Sequence, residues 1–280
     1  MHPVVVILEP PPDDDHWRRQ ILERMGRAES VLDRIESHDD PYPVEPLSDL
    51  AGDRDQVPDL FADTLATRRL KVAVDYLAGV RDLVSGGTHF YAPFALLRAV
   101  IESAAAVVWL LEPDDRITRL QRLIGMHIHD TNNAKAAEFM VPEELREKPE
   151  SDVEDSDRDA GIKQMVVDSG SPRGKCKFPD YTPLLKGIDD LAGEPASLLL
   201  AWRVASGFSH GLSWATVGLM PTLSSERIGP TLHRAETSPN YRLVSNLSGT
   251  AVRTIERAHL WFEIRRTVEY QSYRPLFTRD

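Results

Sequence analysis

The stretch Phe94-Ala95-Leu96-Leu97-Arg98-Ala99-Val100-Ile101-Glu102-Ser103-Ala104-Ala105-Ala106-Val107-Val108-Trp109-Leu110-Leu111 decides the fold. Drawn at 3.6 residues per turn it is apolar on nearly every side, and a helix of that kind must be buried. Tyr91 to Leu111 is therefore expected to be the central helix of a bundle, stopped by Pro113. It reads as a core helix and not a membrane span, because Arg98 and Glu102 interrupt it and only Ala104 to Leu111 runs without a break. Arg98 and Glu102 stand one turn apart on one face, and burying either alone would be costly. The expectation is a structural ion pair, which would also mark any polar pocket inside the bundle.

Amphipathic segments flank this helix. His16 to Ser37 repeats Trp17, Ile21, Met25, Ala28, Leu32 and Ile35 at helical spacing. Asp59 to Val84 does so through Leu60, Leu65, Leu70, Val74, Leu77 and Val80, and Ser85-Gly86-Gly87 ends it. Asp114 to Phe139 turns Ile117, Leu120, Leu123, Ile124, Ile128 and Thr131 inward. Tyr241 to Tyr270 does the same with Val244, Leu247, Val252, Ile255, Ala258, Phe262 and Ile264. Shorter helices are expected near Asp159 to Val167, Tyr181 to Leu191 and Pro195 to Phe208.

Elsewhere the periodicity fails. Residues 1–15 hold a short extended apolar run, then Pro10-Pro11-Pro12 and three aspartates. Residues 38–58 carry four prolines and read as a long irregular connection. Met140 to Asp180 is acidic at first (Glu143, Glu144, Glu147, Glu150, Asp152, Glu154) and reads as an exposed insertion with one mobile loop. Residues 215–240 look like an irregular excursion with a short hairpin. The expected fold class is all-α, an antiparallel helical bundle with irregular insertions. Residues 1–58 would form an N-terminal segment and helix packing on the bundle, and residues 59–280 the bundle itself, with the acidic insertion at about 140–180.

At 280 residues, 41% of them hydrophobic and 28% charged, the composition is that of a globular protein with a sizeable core. The net charge of −11 argues against a basic face for duplex DNA. From Arg203 to Asp280, however, ten arginines and no lysine stand against six carboxylates, a net +4 that leaves −15 for residues 1–200. An anionic ligand is favoured near that C-terminal third. A single cysteine, Cys176, excludes an intrachain disulfide and makes the cytoplasm the expected compartment. Val4 to Leu8 is too short for the core of a signal peptide.

Chemistry-bearing residues concentrate in Trp202-Arg203-Val204-Ala205-Ser206-Gly207-Phe208-Ser209-His210-Gly211. On a helix, a seven-residue step is nearly two turns, so Arg203 and His210 project from one side, about 10 Å apart along the axis, with Ser206 between them. Gly207 and Gly211 permit a bend or a helix end there.

An arginine, six residues and a histidine, late in a helical bundle, resemble the signature of the HEPN superfamily. Arg98-Ala99-Val100-Ile101-Glu102 answers to the acidic residue that such families often place on an earlier core helix. The resemblance implies a metal-independent endoribonuclease, usually a homodimer that unites two copies of the motif, of the kind that serves toxin or defence systems. On that reading His210 is the acid or base, Arg203 clamps the phosphate, and Glu102 orients one of them. Arg98, Ser206 and Ser209 are the candidate substrate contacts, and neither metal nor cofactor is called for. The residue after the motif arginine is commonly polar in active members, and here it is Val204. The competing expectation is a non-catalytic binding or scaffold protein for a nucleotide or other anion, with Arg203 bridged to Glu102 and His210 capping a helix.

Other motifs are weaker. His127 and His129 point to different sides of a helix, so a solvated polar face is expected there and not a metal site. Gly170 to Cys176 resembles a phosphate loop only until its spacing is counted, one residue short and with Cys176 in place of the hydroxyl. Trp202, Phe208 and Trp214 are read as core or interface packing.

Overall fold

The computed structural model describes residues 14–36, 43–142, 155–172, 174–188, 197–230 and 233–269. The chain forms α1 (Asp14–Glu36), α2 (Asp49–Gln56), α3 (Ala62–Gly86), α4 (Ala92–Leu111), α5 (Arg116–Met140), α6 (Asp155–Asp168) and α7 (Tyr181–Ile188). There follow α8 (Leu198–Ser209), α9 (Ser213–Thr216), the strands β1 (Thr222–Arg227) and β2 (His233–Thr237), and α10 (Tyr241–Arg266). The fold is all-α, a helical bundle with irregular insertions, as the periodicity requires. The extended run before α1, the acid-rich residues 143–154 and Arg173 lie outside the described residues.

The long helices form where apolar residues recur at helical spacing. In α4, Phe94, Leu97, Val100, Ile101 and every residue from Ala104 to Val108 are buried. This helix alone among those described is long and apolar enough to cross a membrane, yet its apolar side chains are packed inside the protein. In α10 all seven expected core residues are buried. At roughly 1.5–3 kcal/mol for each large aliphatic side chain, such stripes dominate the energy that holds the helices together. Side chains cap four of the described helix starts. Ser48, Asp115, Ser197 and Asn240 accept from the amides of Ala51, Thr118, Leu200 and Leu243 at 3.2, 2.8, 3.1 and 2.9 Å.

Three expectations need correction. Residues 38–58 are not wholly irregular, because α2 lies within them. It was invisible to periodicity because Leu50 and Asp53 are its only buried residues and Asp53 is anchored by an ion pair. The stretch after α6 is not simply a loose loop. A Cβ at Gly125 of α5 would stand 2.7 Å from the backbone of Lys177, so this glycine lets the extended segment lie directly on the helix, and neighbouring Cys176 is buried. The last helix stops at Arg266, short of Tyr270, because the amide of Glu45 takes the Arg266 carbonyl at 2.9 Å and the Glu45 carboxylate takes the Val268 amide at 2.7 Å. The excursion after α8 holds the four-residue α9 and an antiparallel hairpin that pairs Glu226 with Arg234 and Arg227 with His233.

The chain divides into two compact units. The first is Met1–Ser37, Arg69–Ala105 and Leu185–His259; the second is His38–Arg68, Ala106–Leu184 and Leu260–Asp280. In the second, two buried arginines close the end of α4. Arg265 donates to the carbonyls of Leu111 and Glu112 and to the carboxylates of Asp49 and Asp114, at 2.7–2.8 Å. Arg119 donates to the carbonyls of Pro113 and Asp114 and, through Nε and Nη2, to both oxygens of Asp53. The carbonyl of Leu111, the last residue of α4, and those of Glu112, Pro113 and Asp114 in the turn that follows are thus given donors. Burial opposes the charge of Arg119, but Asp53, followed by Asp49 and Asp114, outweighs it and raises the pKa.

Candidate functional site

The first unit contains all the residues singled out for chemistry. Helix α8 ends at Ser209 with His210 as its cap residue. Gly211 follows in the left-handed region, φ +64°, where a side chain would be strained. The amide of Leu212 donates to the Gly207 carbonyl at 2.9 Å and that of Gly211 to Phe208 at 3.1 Å. This paired closure is the Schellman motif, and it leaves the His210 side chain exposed at the helix end. Gly207 serves a different purpose. A Cβ there would meet Trp214 Cζ2 at 2.5 Å and the Ala215 Cβ at 2.9 Å, so its bareness seats α9 on α8. On the inner side, Phe208 stacks on Phe94 with ring centroids 3.9 Å apart.

Above that stacked pair, α4 and α8 bring four polar groups together. Arg98 Nε donates to Glu102 Oε1 at 2.8 Å, and Trp202 Nε1 donates to the same oxygen at 2.8 Å. The guanidinium carbon of Arg98 lies 5.7 Å from the centre of the Trp202 ring. Its Nη1 stands 2.6 Å from His210 Nε2. Since a guanidinium has only donors, Nε2 accepts, and the imidazole is the neutral tautomer with its proton on Nδ1. Arg98 and Glu102 are 27% and 19% exposed, so the group is half-open to water.

The remaining candidates fall around this group. Arg203 is exposed, and among the described residues it makes no hydrogen bond or ion pair; Glu102 holds Arg98 and Trp202. Ser206 is half-buried and lends its carbonyl to the His210 amide at 3.0 Å. Ser209 turns its hydroxyl back to the Ala205 carbonyl at 2.8 Å, so that donor is engaged within its own helix. The expected Arg98–Glu102 ion pair is present, and its guanidinium reaches His210 from 112 residues away. Sequence spacing pointed to Arg203 as the nearest cation in the chain and missed this contact. The one available signal was an arginine and a carboxylate one turn apart on an otherwise apolar helix.

Trp202 and Phe208 are packed, whereas Trp214 is 51% exposed, so of the two expected uses, core or interface packing, the core does not take that ring. Leu200, Leu212 and Val217 are exposed as well. His127 is half-buried, His129 is exposed against Phe178, and no cluster of metal-ligating side chains occurs among the described residues. No protein-family profile, curated protein or solved structure matches the chain, so the likeness to the HEPN superfamily rests on the residues set out above.

Proposed function

We propose that the Arg98–Glu102–His210 group, with Arg203 beside it on α8, binds the phosphodiester of single-stranded RNA and cleaves it without metal, in a cytoplasmic homodimer. The observation that carries this reading is the exposed imidazole whose Nε2 lies 2.6 Å from a guanidinium nitrogen that is itself held by a carboxylate. An incoming phosphate competes for Arg98 and draws it from His210. Nε2 is then free to take the proton of a ribose 2′-hydroxyl while that oxygen attacks phosphorus and the bond to the 5′ oxygen breaks. The products are a 2′,3′-cyclic phosphate and a 5′-hydroxyl, the latter protonated by the imidazolium or by water. Arg98 and Arg203 offset charge on the pentacoordinate phosphorus. Glu102 and Trp202 act as positioning residues, because both fix the guanidinium of Arg98.

Val204 and the engagement of Ser209 within its helix favour a second reading, a non-catalytic phosphate or nucleotide binder that uses the same group. One assay separates the two. Wild type, His210→Ala and Arg98→Ala are incubated with single-stranded RNA in EDTA, and both the cleavage products and the bound fraction are measured. Cleavage by wild type that His210→Ala abolishes, with binding retained, is the expected result. Binding without cleavage establishes the second reading, and neither activity overturns both.

A further inference from the structure

In the first unit, β1 and β2 pair only with each other, so each strand keeps one open edge. Every residue of the two strands is exposed except Thr237, which is half-buried. A hairpin so exposed has little to hold it alone, and an open edge is a template for a further strand. Edges that stay unpaired are commonly blunted by a bulge or by charge. On β1 the register slips between Thr222 and Ser224, which breaks that edge. The register of β2, His233-Arg234-Ala235-Glu236-Thr237, runs without a break.

The charges on β2 do not blunt it against a second copy of itself. Arg234 and Glu236 stand two residues apart and so share one face of the sheet, with Ala235 between them on the other. If two copies of β2 run antiparallel about a two-fold axis through Ala235, Arg234 of each lies opposite Glu236 of the other. Within the hairpin, Arg234 already faces Glu226 in the register, and Glu236 accepts from the Ser224 hydroxyl at 3.2 Å. Each arginine would then stand between two carboxylates, Glu226 of its own β1 and Glu236 of the other copy. Among the described residues no ion pair engages Arg234 in the single chain, so its charge is available. On the opposite face the two Ala235 methyl groups meet at the axis, where small side chains let the strands approach. Other centres fail, because an axis at Arg234 or at Glu236 sets like charges directly opposite.

We propose that the β2 edges of two copies pair antiparallel about Ala235, joining the two hairpins into a four-stranded sheet and making the contact isologous. The inference rests on the homodimer of the proposed function and names its interface; it does not require RNA cleavage. Five residues a side is a small contact, which predicts a dimer that dissociates on dilution.

The test is sedimentation of the full chain over a dilution series, for wild type, Arg234→Glu, Glu236→Arg and an equimolar mixture of the two variants. Each variant alone sets like charges opposite at both ends of the paired edge, and its dimer should dissociate about tenfold or more readily than that of wild type. Glu236→Arg is the cleaner probe, because the residue opposite it in its own hairpin is the neutral Ser224. In the mixture, the acidic edge of one variant meets the basic edge of the other, and a heterodimer as tight as the wild-type dimer should return. Weakened variants rescued by mixing support the interface. A wild-type dimer that Glu236→Arg leaves unchanged, or weakened variants that mixing does not rescue, overturns the β2 interface and leaves the homodimer standing. A wild type that is monomeric at every concentration overturns the interface and the homodimer together.

Discussion

Arg119 and Arg265 in the second unit are 2% and 0% exposed, whereas Arg98 in the first is 27% exposed. Each of the buried pair spends its donors on two backbone carbonyls and on carboxylates, and has little left for a ligand. Arg98 divides its bonds between one carboxylate and one neutral imidazole, and its Nη2 has no partner among the described residues. The difference separates two uses of one side chain. A guanidinium that closes a helix end inside the protein holds the fold, while the half-exposed one keeps a donor that the fold does not use, which is what the proposed anion site requires.

The largest expected effect falls on the closed network. Arg119→Ala leaves the buried Asp53 carboxylate only the exposed Arg116 as a partner, and Arg265→Ala removes the guanidinium donors of the Leu111 and Glu112 carbonyls and of Asp49; each should cost about 3–5 kcal/mol in urea unfolding. A loss below about 1 kcal/mol would erase the contrast between the two arginine environments. Next comes the open group. His210→Ala should lower RNA cleavage by about 10²–10⁴-fold while changing stability by no more than about 0.5 kcal/mol. A stability loss on the scale of Arg119→Ala would make His210 a structural residue.

How much of this could be read from the chain follows the same division. Helices α3, α4 and α10 were legible because burial of one stripe, or of every side, imposes a period on the sequence. Helix α2 was not, because an ion pair to Arg119, 66 residues away, anchors it. The capping role of Arg265 left no trace, since its partners are mainly carbonyls and carboxylates more than 150 residues distant. At the candidate site, His210 and the Arg98–Glu102 pair were visible by residue type. Their meeting was not, because an i,i+7 spacing within α8 is apparent in a sequence and a contact between two helices is not.

Smaller effects sharpen the contrast. Gly207→Ala drives a methyl group into Trp214 and Ala215, and should cost about 1–3 kcal/mol and change the fluorescence of the displaced indole. An unchanged emission spectrum would mean that α9 does not rest on α8 as described. The smallest effect is at the start of α5, where the Asp115 carboxylate accepts from Thr118. The Thr118 hydroxyl first, and backbone amides after it, hold this carboxyl below the usual carboxylate range. A depressed pKa contributes stability that is complete above the unfolded-state value and is lost as pH falls through the folded one. Asp115→Ala should therefore cost about 1 kcal/mol at neutral pH, and its unfolding free energy should converge with that of wild type in acid. A difference that persists at low pH would contradict the capping account.

The most direct measurement on the open group is nitrogen-15 NMR of the His210 ring during titration with a 2′-O-methyl RNA that cannot be cleaved. Displacement of Arg98 by phosphate predicts a change in the Nε2 resonance that saturates with RNA and disappears in Arg98→Ala. A ring signal indifferent to RNA, in a protein whose other resonances show that RNA is bound, would contradict it.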